Sequence, residues 1–428
     1  MMEIKIGNKE LPAQSVFTDW ASIFQFGLSL LATLLLWGIG AIMVFAGFVQ
    51  SIDPSIEIQI INTSMFVGAC FLSGIIAMIS ALSAAGKLFG FSIEKSKWFN
   101  KFSQLIKPSI LLILFPIILW IGNWVINSSE LAWLLMPPIH MIATILPITW
   151  LAIISSRGIT PVSFQRFWGS FGGGMMVSPP LAFIFEIIGG LFILLIVVGL
   201  ISFNPDMEQF FTRTLNQISS APLGSIQFKN LIANIFNSPI VIGASLLFIA
   251  VVTPLAEEIL KPFGVWLLAG RDLTPKDGWV LGLISGAGFA FFENIWMLTA
   301  DETWASLVAA RGATTIIHLL TSALTGWALA TAWQEKKYLK LVAIYLLSVG
   351  IHAIWNGGVL LSSLSSVISQ SSRLEHAPIL PPFFETLLPY LLGILALFSF
   401  IVLMLVKRNF QRGEVVEYAV VPSTDIQD

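Results

Sequence analysis

The chain alternates long apolar runs with short polar stretches, and the runs are too long and too uniformly apolar for the core helices of a water-soluble domain. A helix crosses a hydrocarbon core about 30 Å thick with about 20 predominantly apolar residues. Ten runs reach that length, near residues 23–48, 64–85, 108–127, 131–155, 178–202, 239–268, 278–300, 311–333, 341–362 and 384–406. The pattern predicts an all-α, polytopic integral membrane helix bundle of about ten transmembrane helices. Two connecting segments are long. Residues 203–238 carry enough helical periodicity for one or two interfacial helices, and 363–383 reads as a Ser- and Pro-rich loop. Gly172, Gly173 and Gly174 follow no strand and precede no Gly-Lys-Ser/Thr, so they read as a flexible loop and not as a phosphate cradle.

Composition sharpens the class. Of 428 residues, 56% are hydrophobic and 11% charged, with a mean hydropathy of +0.86, far outside the range of soluble domains. The lone Cys70 excludes a disulfide framework and a Cys-based zinc cluster, and a net charge of -2 argues against a nucleic-acid partner. The first twenty residues mix charges and lack an apolar core, so no cleavable signal peptide is expected. Placing the N-terminus in the cytoplasm puts seventeen Lys and Arg inside, including Lys5, Lys9, Lys95, Lys97 and Lys101. Four lie outside: Arg213, Lys229, Arg311 and Arg373. That asymmetry predicts a multi-pass protein of the cell membrane with both termini cytoplasmic.

The sixth run contains charges that lipid does not tolerate. Glu257, Glu258 and Lys261 lie within it, and Glu293 lies in the seventh. At roughly 2.5–3.5 kcal/mol each, four such groups facing lipid would cost about 10–14 kcal/mol, so they must face a polar interior or a water-filled cavity. Lys261 is four residues from Glu257 and three from Glu258, so one ammonium can neutralise either carboxylate. Pro254 and Pro262 bracket the pair and each removes a backbone donor, which is tolerated in a membrane only where the backbone is buried in protein or lines a cavity.

The next three runs carry matching polar positions. Gly282, Gly286 and Gly288 permit close helix approach ahead of Glu293-Asn294; Thr314, His318, Ser322 and Thr325 form one stripe with Arg311 at its outer end; Ser348, His352 and Asn356 form another. Counting about 1.5 Å per residue from the cytoplasmic ends places Glu257, Glu258, Glu293, His318, His352 and Asn356 about 15–23 Å deep, in one slab. A single intramembrane His or Asn often only bonds a neighbouring helix. Glu186 and His140 are isolated polar residues of that kind and receive no role. The combined set exceeds what packing needs and predicts a site, with Arg311 pointing to an extracytoplasmic entrance.

Two carboxylates, two imidazoles and an amide suit water activation by a Glu general base, with or without a divalent metal. The chain has no His-Glu-x-x-His and no Gly-x-Gly-Asp, and Gly243-Ala244-Ser245-Leu246 lacks the last Gly of a Gly-x-Ser-Gly nucleophile. Zincin, aspartyl and serine schemes are therefore poorly supported. Carboxylate and His chains also make proton relays, so a proton- or ion-coupled transporter is the rival reading, and a catalytically silent scaffold a further one.

Taken in order, Glu257-Glu258-x-x-Lys261, Phe289-x-x-x-Glu293-Asn294, His318 and His352-x-x-x-Asn356 resemble the PrsW family of membrane-embedded proteases over about residues 240–362. They are similar, more distantly, to the CAAX-protease and bacteriocin-immunity group. There the basic residue stands one position further on and a His stands where this chain has Glu293. The resemblance implies a membrane peptidase acting on a membrane-anchored protein substrate, in the family's case an anti-sigma factor. It implies that Glu257 or Glu258 activates water and that Lys261 balances charge. Glu293, His318 and His352 would bind zinc or another divalent metal or stabilise the oxyanion, with Asn356 as a donor. The expected division is an N-terminal membrane region (1–235), a catalytic four-helix core (236–362), and a last region of outer loop, final span and cytoplasmic tail (363–428).

Overall fold

The structure, a computed structural model, describes residues 19–52, 59–90, 107–128, 130–159, 162–371, 374 and 377–420. The expected positions of Lys5, Lys9, Lys95, Lys97, Lys101 and Arg373, and the reading of the first eighteen residues, lie outside them. The described residues are helical throughout, with no strand among them. The first helices are α1 (Trp20–Ile52), α2 (Ile60–Leu88), α3 (Pro108–Ser128) and α4 (Ala132–Ser156). A short α5 (Phe164–Met176) runs into α6 (Ser178–Ser202), and α7 (Pro205–Ser220) and α8 (Ile226–Phe236) fill the long connection. The sixth apolar run is broken into α9 (Pro239–Leu247), a π-helical turn (Phe248–Val252), α10 (Thr253–Leu260) and α11 (Phe263–Trp266). The chain ends with α12 (Pro275–Ile295), α13 (Trp304–Glu335), α14 (Tyr338–Ser369) and α15 (Phe383–Val420). Ten segments among the described residues are long and apolar enough to span a membrane, α5 and α6 together forming the fifth. The protein is a multi-pass membrane protein.

Three expectations are corrected. The Gly172–Gly174 stretch is helical and buried in α5, because a Cβ on Gly174 would strike the carbonyl of Ser285 on α12 and one on Gly288 would strike that of Phe171. These glycines bring two helix backbones together. The supposed loop beginning at 363 is helical to Ser369. Its serines bond back onto the helix's own carbonyls, Ser363 to Val359 at 2.9 Å and Ser369 to Ser366 at 3.1 Å, which supports helix despite their turn propensity. Finally, α13 begins at Trp304, two turns before Arg311, so Arg311 lies inside the span and not at its mouth.

α12 is the hub. Its residues from Gly278 to Phe291 are buried, with α5 on one side and α13 on the other. The main core joins Ile76 and Ala77 of α2, Ile148 and Leu151 of α4, Met175 of α5, Ile284 and Ala287 of α12, and Leu319 and Ala323 of α13. α6 presents Phe183, Phe185, Leu191 and Leu195 outward, as a lipid-facing helix does.

At one end of the bundle Asp19 pairs with Lys87 at the close of α2 and, at 2.8 Å, with Arg271 after α11. The start of α1, the end of α2 and the start of α12 therefore share a side, as alternating crossings require. Burial alone would raise the Asp19 carboxyl, but hydrogen bonds from Lys87 and Ser22 and the charge of Lys87 outweigh it and hold the group at about 2.

Two predictions follow from these contacts. Gly174→Val should cost at least the 1–3 kcal/mol typical of overpacking, read as a lowered unfolding midpoint, whereas Gly199→Ala, with open space at its Cβ, should leave it unchanged. A carboxyl depressed on folding stabilises above its ordinary value of 3.8, and that contribution fades as pH falls toward about 2. Asp19→Asn should therefore flatten the acid limb of a stability profile; an acid limb identical to the parent's would contradict the assignment.

Candidate active site

The site is built on the interruption of the sixth span. Pro254 has no backbone N–H to give, and just ahead of it the helix widens into the π-turn, where the N–H of Thr253 bonds the carbonyl of Phe248. In that wider register the carbonyl of Ile249 faces Pro254 and would go unpaired. The Asn356 amide of α14 donates to it at 3.3 Å. Downstream, Pro262 ends α10, and the carbonyls left free are taken by side chains. Trp266 Nε1 donates to Ile259 and Ser178 Oγ to Leu260, both at 2.8 Å, and Ser285 Oγ donates to Lys261. The break is buried in protein, and side chains of α6, α11, α12 and α14 close it.

This scaffold turns three charges inward. Lys261 is fully buried, with its Nζ 3.0 Å from Glu257 Oε2 and 2.7 Å from Glu258 Oε1. The ring of Phe289 lies beneath the ammonium, 4.8 Å from Nζ to centroid, an added cation–π contact. His352 Nδ1 sits 2.8 Å from Glu258 Oε1 and 3.2 Å from Lys261 Nζ. A carboxylate at Nδ1 favours the proton there and turns the Nε2 lone pair away from it. That Nε2 faces Glu257 Oε2 at 3.8 Å.

α13 contributes the second imidazole. His318 is buried, edge-on to His352 with ring centroids 5.3 Å apart, and packed on Phe289. Its Nε2 lies 2.7 Å from Glu293 Oε2 without the alignment of a hydrogen bond, so neither ring nitrogen has a hydrogen-bond partner among the described residues. Glu293 is also paired with Arg311, whose Nε donates to Asn294 Oδ1 at 2.7 Å; the Asn294 amide donates in turn to Thr315. Arg311 and Glu293 remain 22% and 25% exposed, whereas Lys261 and Glu258 are at 0%. The cluster is thus closed at its lysine end and open at its arginine end.

The structure brings most of the expected residues together, with one rearrangement. Glu257, Glu258, Lys261, Glu293, His318 and His352 meet. Asn356 stands apart on the Ile249 carbonyl, because the proline above it leaves that acceptor free. Ligand atoms of Glu257, His318 and His352 lie within 4.8 Å of one another, whereas the expected metal set had Glu293 in place of Glu257. The guanidinium of Arg311 accounts for the exchange, since it claims the Glu293 carboxylate. Donor atoms about 2.0–2.2 Å from one zinc-like ion stand no more than about 4.4 Å apart, so the observed spread is close to that of a formed site. Glu257 Oε2, which faces the Lys261 ammonium, and the His318 nitrogens, which make no aligned hydrogen bond among the described residues, are of the donor type such an ion takes. His140, given no role from sequence, accepts from Trp304 Nε1 at 3.2 Å and contacts the Ile295 carbonyl, which is a packing role. Sequence reading missed Ser178 and Ser285, which carry no periodic signal. It also missed the pairing of Arg311 with Glu293, for which the seven-residue spacing of Arg311 and His318 on one helix face was the available sign.

The sequence profile described as PrsW family intramembrane metalloprotease matches residues 164–384. No curated protein and no solved structure matches the chain. The profile match begins at α5, well before the four motif-bearing helices, and this is physically sensible because α5 and α6 pack on α11 and α10 and help close the broken span. Since the match covers more than half of the 428 residues and takes in every helix that shapes the cluster, the chain belongs to the PrsW family of intramembrane metalloproteases.

Proposed function

We propose that this protein cleaves a membrane-anchored protein inside the bilayer, with Glu257, His318 and His352 holding a zinc-like divalent ion and Glu293 serving as general base. The observation that carries the reading is the set of buried ligand atoms within 4.8 Å on three helices, the His318 nitrogens among them making no aligned hydrogen bond among the described residues. When bound, such an ion polarises the scissile carbonyl and acidifies water. Glu293, the exposed carboxylate of the cluster, takes a proton from the attacking water and passes it to the leaving amine. Arg311 aims Glu293 through their ion pair. Glu258 holds the Nδ1 proton of His352, and Lys261 offsets the charge of both neighbouring carboxylates. Asn356 maintains the π-turn.

The location of the cluster within the spans supports a membrane-anchored protein that enters from the lipid side as the substrate class. The family resemblance supports a regulatory substrate of the anti-sigma type. The Lys and Arg asymmetry supports a cell-membrane protein with both ends in the cytoplasm. The place of Glu257 Oε2 between the Lys261 ammonium and Nε2 of His352 also favours a second, metal-free reading in which Glu257 itself is the base.

Glu257→Ala, Glu293→Ala, His318→Ala and His352→Ala should each lower cleavage of a fluorescent single-span reporter by about 10²–10⁴-fold, the range that general acid–base groups contribute, with the protein still inserted. Wild-type rates in all four would remove this cluster as the site of cleavage. 1,10-Phenanthroline should abolish cleavage and added Zn²⁺ restore it, while His318→Ala should lose bound metal by mass spectrometry. Cleavage that ignores the chelator would leave the metal-free reading.

A further inference from the structure

α6 carries a carboxylate, Glu186, that none of the chemistry above uses. It lies within a membrane span, is half-buried, and makes no hydrogen bond or ion pair among the described residues. A charged group at mid-span costs roughly 2.5–3.5 kcal/mol when nothing solvates it, so its surroundings must supply solvent.

Helix geometry shows which way it faces. The side of α6 packed on the protein carries Pro179, Ala182 and Ile193, which are buried, together with Gly189 and Gly190, which abut Val252 and Phe248 of the π-turn. Glu186 stands four residues from Ala182, three from Gly189, four from Gly190 and seven from both Pro179 and Ile193, so it belongs to this same stripe. Its neighbours Phe183 and Phe185 point to lipid at 62% and 55% exposure. Two contacts fix its level. Ser178 at the start of α6 bonds Leu260 at 2.8 Å, and Gly189 meets Val252. Between them, Glu186 stands beside the segment holding Pro254 and Glu257, within electrostatic reach of Glu293 and Lys261. α6 contacts α12, which carries Glu293, as well as α10.

We infer that Glu186 lines a hydrated passage between α6 and α12 by which water reaches the carboxylate–imidazole cluster. The purpose of the passage rests on the hydrolytic reading, since a peptidase enclosed by lipid must be supplied with water; its geometry does not. The unpaired carboxylate keeps the passage wet.

The test is thiol accessibility in a Cys70→Ala background, which removes the chain's lone cysteine. In proteoliposomes, Glu186→Cys should react with a charged, membrane-impermeant methanethiosulfonate reagent at least tenfold faster than Phe185→Cys, which faces lipid. Equal rates would overturn the passage. Should Glu186→Cys fail to insert, the unsubstituted chain answers the same question. A water-soluble carbodiimide with an added amine should modify Glu186, read by peptide mass spectrometry, and a protected Glu186 would again overturn the proposal. Labelling needs no cleavage assay. Rapid labelling in a protein that cleaves no reporter therefore supports the passage while counting against the peptidase reading.

Discussion

The ammonium of Lys261, fully buried and held 2.7–3.0 Å from the carboxylates of Glu257 and Glu258, is the constraint from which the rest of the structure follows. An ion taken out of water loses several kcal/mol of solvation, and only a close, well-formed partner set returns it. Both carboxylates and His352 supply that set, and Phe289 adds its ring face. Because the group must sit away from lipid, α10 packs its charged side against α6, α13 and α14. Removing one partner would strand a buried charge, which typically destabilises by about 3–5 kcal/mol.

The same enclosure allows the backbone to be broken. Two prolines eight residues apart would be intolerable in a helix facing hydrocarbon, where nothing replaces the missing bonds. Here Asn356, Trp266, Ser178 and Ser285 take up the freed carbonyls. Ser285 is brought to the break on a helix that α5 and α13 approach at glycine distances, with Gly174 and Gly288 between α5 and α12 and Gly282 between α12 and α13. Interfaces of small residues are how membrane helices gain packing without a hydrophobic drive between them.

The cluster divides into a satisfied half and an unsatisfied half, and this division gives it chemical capacity. Glu258 Oε1, Lys261 and the Nδ1 face of His352 hold one another, whereas both nitrogens of the buried His318 make no aligned hydrogen bond among the described residues. A fully satisfied network would only hold helices together. The unsatisfied atoms converge where Glu293 and Arg311 remain reachable, so electron-pair donors and solvent access coincide.

The sequence by itself determined the class, the number of spans and the residues that had to meet. Twenty-residue apolar runs have one stable solution in a bilayer, and charges such as Glu257, Lys261 and Glu293 cannot stand alone there. Helical spacing likewise put His318 and His352 at a common depth. Partner choice was decided only by the tertiary structure, because it depends on which faces of separate helices turn toward each other. Periodicity did not show that Arg311 would take Glu293 and so bring Glu257 into the candidate ligand set, or that Asn356 would serve a carbonyl freed by Pro254. The glycines of α5 looked like a loop because their composition is that of a turn. They form a helix because the backbone of α12 lies against them, and a contact between segments more than a hundred residues apart leaves no trace in local sequence.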